Sequence, residues 1–191
     1  MRLKYEFPTL QDDSWRRGRG NYLTKQTGEY LVAAELSRRG FIATTFTGNV
    51  PHYDIVAVDE RGCHALVQVK AIAGKSWQFT ATNSADIVMN GKQQIVRRAR
   101  AEPVPNLICV LVQLAHAGSG GQDRFYVLSW RDLCKVIVDH HTNYLAKFGG
   151  IRPKKPESMH LQLHPSAIAA YEDKWDTLKK SVRPVQSELT S

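Results

Sequence analysis

YDIVAVDERGCHALVQVK, residues 53–70, reads as two short apolar strands joined by a polar turn. Asp59 opens the turn and Gly62 stands fourth in it, the pattern of a type I turn followed by a glycine in the left-handed conformation, a common three-residue hairpin loop. That turn fixes a register. With Asp59 against Cys63, Asp54 comes opposite Gln68, and Lys70 lies two residues further along the same strand. Opposed residues project to one face of a sheet, as do residues two apart, so Asp54, Gln68 and Lys70 are expected together. A slip of one residue would send Gln68 and Lys70 to the other side.

Upstream, TKQTGEYLVAAELSRR predicts a helix with Thr24 as its N-cap and Gly40 at its end. Glu29, Ala33 and Leu36 share one stripe of that helix, which should turn toward the sheet. Glu35 is spaced instead for surface pairs with Arg38 and Arg39. FIATTF adds a strand before the hairpin.

Downstream, SWQFTATNS reads as extended or looped, and GKQQIVRRARA predicts a helix closed by Pro103 and Pro105. NLICVLVQL is a continuous apolar run of the kind buried on both faces of a sheet, and RFYVLS is a further strand. WRDLCKVIVDH predicts a helix and MHLQL a short strand. PSAIAAYEDKWDTLKK predicts a last helix that docks through Ile168, Tyr171, Trp175 and Leu178. The expectation is an α/β fold, a mixed central sheet flanked by helices with a C-terminal docking helix. It divides into a basic arm at 1–23, a core at 24–148 and an extension at 149–191 that packs on the core.

The 191 residues fit one domain. The longest apolar runs are well short of the ~20 residues that span a bilayer, and the N-terminus has no signal-like apolar stretch, so a cytoplasmic protein is expected. Cys63, Cys109 and Cys134 are odd in number and set among apolar neighbours, which argues against a disulfide framework and for buried thiols. The seven histidines lack the spacing of a zinc site. A formal charge of +8 points to a polyanionic partner. Candidate phosphate contacts are Arg16, Arg17, Arg19, Lys25, Lys92, Arg97, Lys154 and Lys155, and convergence of these clusters on one side of the fold would favour DNA.

Oxygen ligands from Asp54 and the Gln68 amide suit Mg²⁺, with Mn²⁺ as a substitute, and Lys70 beside them suits charge balance in phosphodiester hydrolysis. Gly28-Glu29 on a helix, then Asp54, then Gln68-Val69-Lys70, resembles the PD-(D/E)xK nuclease superfamily, in particular its Holliday-junction-resolvase-like and small restriction or homing endonuclease branches. The resemblance implies a restriction-endonuclease-like core and Mg²⁺-dependent cleavage of DNA. It assigns metal binding to Asp54, to Gln68 in the place usually held by an acid, and to Glu29, with Lys70 as the catalytic lysine. The neutral amide of Gln68 is a weaker ligand than a carboxylate and takes one negative charge from the site. It keeps an alternative open, a nuclease-fold module that binds nucleic acid or a protein without cutting. Cutting both strands with one site per chain calls for a homodimer or sequential nicking.

Overall fold

The computed structural model describes residues 13–46, 48, 50–115 and 121–182, with side chains from residue 20 onward. Its centre is the expected hairpin. Strands β2 (Ile55–Val58) and β3 (His64–Ile72) pair antiparallel with Ile55 opposite Val67 and Val58 opposite His64, which is the register that the turn sets. Gly62 takes φ +75°, and the Asp59 carboxylate accepts the N–H groups of Arg61 at 3.0 Å and Cys63 at 2.8 Å. An aspartate that satisfies its own turn in this way holds the two strands in step.

Around the hairpin the sheet runs in the order β1-β2-β3-β7-β8, where β1 is Ile42–Thr45, β7 is Ile108–Gln113 and β8 is Arg124–Ser129. Only the β3–β7 pairing is parallel, so the sheet is mixed. Five of the six β7 residues are buried, as a strand covered on both faces requires.

Two apolar layers cover the sheet. On one face, Ile55, Ala57, Val67, Val69 and Val110 pack with Val32 and Leu36 of helix α1 (Asp13–Arg38). On the other, Cys109, Leu111, Tyr126 and Leu128 pack with Leu133 and Ile137 of helix α2 (Trp130–Ala146). Each fully buried Leu, Ile or Val contributes about 1.5–3 kcal/mol, so the two layers dominate stability. α1 sits very close to β3: a methyl group at Gly28 would collide with Cβ of Ala71. Ser129 caps α2 by accepting the Asp132 N–H at 3.1 Å. Cys63, Cys109 and Cys134 are free and buried. Among the described residues no helix is long and apolar enough to cross a membrane.

Three expectations are corrected. First, α1 begins at Asp13 rather than after Thr24, so part of the expected arm is helix and Thr24 lies inside it. The segment contains no proline to stop it. Second, residues 91–101 are not helical. They follow strand β5 (Ala85–Asn90) into strand β6 (Gln93–Ala99), a two-stranded antiparallel ribbon. Gly91-Lys92 form the two-residue loop, with Gly at its first position at φ +57°, and the β-branched pair Ile95-Val96 prefers a pleat.

Third, the C-terminal helix is broken. A 3₁₀ segment, Pro165–Tyr171, is separated from α3 (Asp176–Ser181) by Asp173 at φ +51°. Ile168 is buried in the α2 layer, whereas Trp175 and Leu178 are buried in the α1 layer. The chain therefore passes around β8 from one face of the sheet to the other, held by Asp173 N–H on the Phe125 carbonyl at 2.9 Å and by the bidentate Arg124–Glu172 pair. One straight helix cannot reach both layers. In the same layer as α2, strand β4 (Trp77–Thr80) pairs with β9 (His160–Leu163) as a second small sheet.

Candidate active site

β2 and β3 stay paired only as far as Ile55. His52, a non-glycine residue at φ +75°, marks where the preceding chain turns, and the backbone of β2 leaves the ladder there. Asp54 completes the edge differently. Its N–H donates to the Val67 carbonyl at 2.8 Å, and its Oδ2 accepts the Val69 N–H at 2.8 Å. A carboxylate that takes a strand's in-line N–H lies in the plane of the sheet, at the fork between the strands.

The other carboxylate oxygen of Asp54 meets α1. Lys25 Nζ lies 3.4 Å from Asp54 Oδ1 and 3.4 Å from Glu29 Oε1, so one ammonium joins two acids. Both acids are mostly buried, with side-chain exposures of 18% for Asp54 and 13% for Glu29. Burial raises the Glu29 carboxyl above its ordinary pKa, the neighbouring Asp54 charge raises it further, and Lys25 offsets only part of this. Burial by itself would lower the Lys25 ammonium, but the two carboxylates outweigh it and hold its pKa above the usual value. These groups line a cleft of about 380 Å³ with Tyr22 and Tyr30 of α1 on one side and Phe46 and Tyr53 on the other, the last two rings edge to face at 5.7 Å.

Gln68 and Lys70 are placed differently from the expectation. They alternate with Val67 and Val69, which pack under α1, and therefore project to the α2 face. Lys70 Nζ stands 5.2 Å from the centroid of Phe79, and the Lys70 carbonyl accepts the Trp77 indole N–H at 2.9 Å. The sequence placed Asp54 on that same face by extending the ladder one more rung; the fork ends the ladder first and swings the carboxylate into the sheet plane. Cys109, which pairs with Gln68 across β3 and β7, has its thiol pushed up chiefly by burial.

Glu29 is inward-facing as its stripe implies, while Glu35 pairs with Arg38 and Arg39 at the surface. Lys25, expected as a phosphate contact, is instead the counter-ion of the acid pair. Its position four residues before Glu29 was the available signal, since that spacing places an ammonium beside the acid on the same helix face. Lys92 and Arg97 lie on the ribbon and Lys154 and Lys155 in the loop beside it, all exposed. The side chains of Arg16, Arg17 and Arg19 lie outside the described residues.

Two carboxylates already gathered on one cation form a donor set that fits a hard divalent ion, because Mg²⁺ is commonly held by one or two carboxylates and completes its shell with water. Among the described residues no three His, Cys, Asp or Glu side chains cluster as a metal site.

No protein-family model matches the sequence, and no curated protein matches it. Among solved structures the chain is similar to a bacterial homing endonuclease, I-Ssp6803I, at 14% identity and a TM-score of 0.41, over 83% of this chain and 93% of that one. At that level the likeness adds nothing to the geometry.

Proposed function

We propose that this protein is a divalent-metal-dependent DNA endonuclease. Asp54 and Glu29 would hold Mg²⁺ on the α1 side of the strand fork, and Lys70, which projects from β3 to the α2 side, would supply a second positive charge toward the phosphate. The observation that carries the reading is the single Lys25 ammonium 3.4 Å from each of two mostly buried carboxylates, a cation position built at the strand fork. When bound there, the metal supplies Lewis acidity toward the scissile phosphate.

The chain's own residues do the rest. Val69 N–H fixes one oxygen of Asp54 and leaves the other turned to α1. Glu29 is ionised most easily while a cation faces it, which couples cation binding to loss of its proton. Lys70 contributes a positive charge on the Gln68 side, where phosphate oxygens gain charge as the P–O bond breaks.

A second reading is a nucleic-acid-binding module that does not cut. The neutral amide of Gln68, where a carboxylate would bind a metal more strongly, favours it. Incubation with supercoiled plasmid in Mg²⁺ and in Mn²⁺ separates the two. Nicking or linearisation that disappears in Asp54→Asn and Lys70→Ala supports the nuclease. Binding without cleavage in either metal, or cleavage that survives both substitutions, rejects it.

A further inference from the structure

The ribbon of β5 and β6 is held along one face and bare on the other. Inward, Ile87 joins the α2 layer, and Gln94 is buried with its Oε1 2.8 Å from His141 Nε2 of α2 and its amide on the carbonyl of Ser158 at 3.1 Å. Outward, Val88 and Ile95 stand opposite each other and are 39% and 40% exposed. Asn90 continues that row to the tip. Gly91 with positive φ and Lys92 without it form the type II′ turn that keeps a ribbon twisted and narrow. At the other end, Asp86 pairs with Arg98 and Ile87 with Val96, so β6 carries one extra residue, Arg97, with no partner across the ladder. Such a bulge re-aims a side chain, and Arg97 is exposed.

A second basic segment lies against this ribbon. Residues 149–158 run beside β6, tied by Gln94 N–H to the Gly150 carbonyl at 2.9 Å and by Gln93 to the Gly149 carbonyl at 3.3 Å. Arg152 is locked inward on the Ser158 carbonyl at 2.9 Å, whereas Lys154 and Lys155 are exposed. Residues 84–101 and 149–158 together hold seven cations against two acids, Asp86 and Glu157, and Asp86 is already engaged by Arg98 at 2.8 Å and Arg100 at 3.7 Å. Two basic clusters far apart in sequence thus meet on one surface, on the side of the sheet to which Gln68 and Lys70 project.

We propose that the β5–β6 ribbon enters the major groove of duplex DNA, with Lys92, Arg97, Lys154 and Lys155 on the flanking phosphates and the Val88, Ile95 and Asn90 row toward the base edges. A two-stranded ribbon matches a groove about 12 Å wide, thymine methyl groups accept apolar contact, and an asparagine amide matches the adenine edge. This inference rests on the reading of the protein as DNA-binding but not on its cutting DNA.

The test is duplex binding in EDTA, read by fluorescence anisotropy of a labelled 30-bp DNA over a range of salt. Lys92→Ala/Arg97→Ala is expected to weaken binding about tenfold at low salt and to flatten the plot of log affinity against log salt by about two, since each lost phosphate contact removes ~0.9. Lys179→Ala, an exposed cation on α3, is expected to change neither. A duplex carrying glucosylated cytosines, which block the major groove, is expected to bind several-fold more weakly. Unchanged affinity and slope in the double variant, a loss equal to that in Lys179→Ala, or no duplex binding by the unsubstituted protein overturns the proposal. It is also overturned if Val88→Ser/Ile95→Ser converts a dimer to a monomer in sedimentation without altering DNA affinity, because the row then serves a second copy of the chain. Binding through the ribbon with no cleavage in Mg²⁺ or Mn²⁺ rejects the endonuclease reading alone; cleavage with a ribbon-independent affinity rejects this one alone.

Discussion

Asp54 Oδ2 accepts the backbone N–H of Val69 at 2.8 Å, closing a rung that the backbone of β2 leaves open. The same carboxylate therefore serves the fold and the cleft, and substitutions at Asp54 separate the two roles. Asp54→Asn keeps an oxygen for the Val69 N–H, so its stability should stay within about 1 kcal/mol of the native protein while plasmid cleavage is lost. Asp54→Ala leaves a part-buried donor without a partner and should cost a further ~1–3 kcal/mol. Urea denaturation beside the plasmid assay reads both. An Asn variant as unstable as the Ala variant would mean that charge, not the hydrogen bond, holds the fork.

Lys25 competes with any divalent cation for Glu29 and Asp54. Lys25→Met should lower the Mg²⁺ dissociation constant, on the order of tenfold for removal of one charge at close range, and should destabilise the metal-free protein by leaving two like charges together. Titration calorimetry with MgCl₂ checks the first effect and thermal melting in EDTA the second. Weaker Mg²⁺ binding in the variant would contradict a shared cation position.

Glu29 has its carboxyl raised by burial and by Asp54, so the folded state holds its proton more tightly than the unfolded state does. Its contribution to stability is accordingly greatest below the unfolded pKa and is lost as pH rises through the folded value. Mg²⁺ affinity runs the opposite way, increasing with pH over that window as the proton leaves. Glu29→Gln should flatten the pH dependence of Mg²⁺ binding measured by calorimetry across the acid range.

His141 sits at 1% exposure against Gln94, and burial, then the charges of Arg152 and His140, push its pKa down to about 4. An imidazole neutral in the fold and protonated when unfolded makes stability full above about pH 6.5 and progressively lower down to about 4. On the order of 3 kcal/mol should be lost across that window if His141 acts alone. Urea midpoints measured from pH 7 to 4 test this, and a flat profile would exclude a neutral buried imidazole. The ribbon and the 149–158 loop should loosen first, since Gln94 links both to His141.

Gly28→Ala introduces a methyl group against Ala71. Alanine favours a helix by about 1 kcal/mol over glycine, but crowding at a packed contact costs about 1–3 kcal/mol. A net loss of stability is expected, with a drop in cleavage as α1 and Glu29 move from the fork. An increase in melting temperature would show that α1 can shift outward freely.

The local sequence determined what local chemistry decides. The Asp59-to-Cys63 turn carries its own hydrogen bonds, so the β2–β3 register was legible, and β7 announced double burial by an unbroken apolar run. Glu29 was legible as inward-facing because helical periodicity sets its stripe. Residues 91–101 misled because basic and polar residues in a row satisfy a helix as well as an exposed ribbon; only the Gly91-Lys92 turn tells them apart.

What the tertiary structure alone decided depends on groups distant in the chain. Where β2 parts from β3, how Asp54 turns into the plane of the sheet, and that Lys25 bridges it to Glu29 all follow from docking α1 on Val69 and Ala71. The break at Asp173 arises in the same way, since Ile168 and Trp175 bury on opposite faces. Strand period and turn type are properties of a few consecutive residues. The meeting of a helix, a fork and two basic segments is a property of packing.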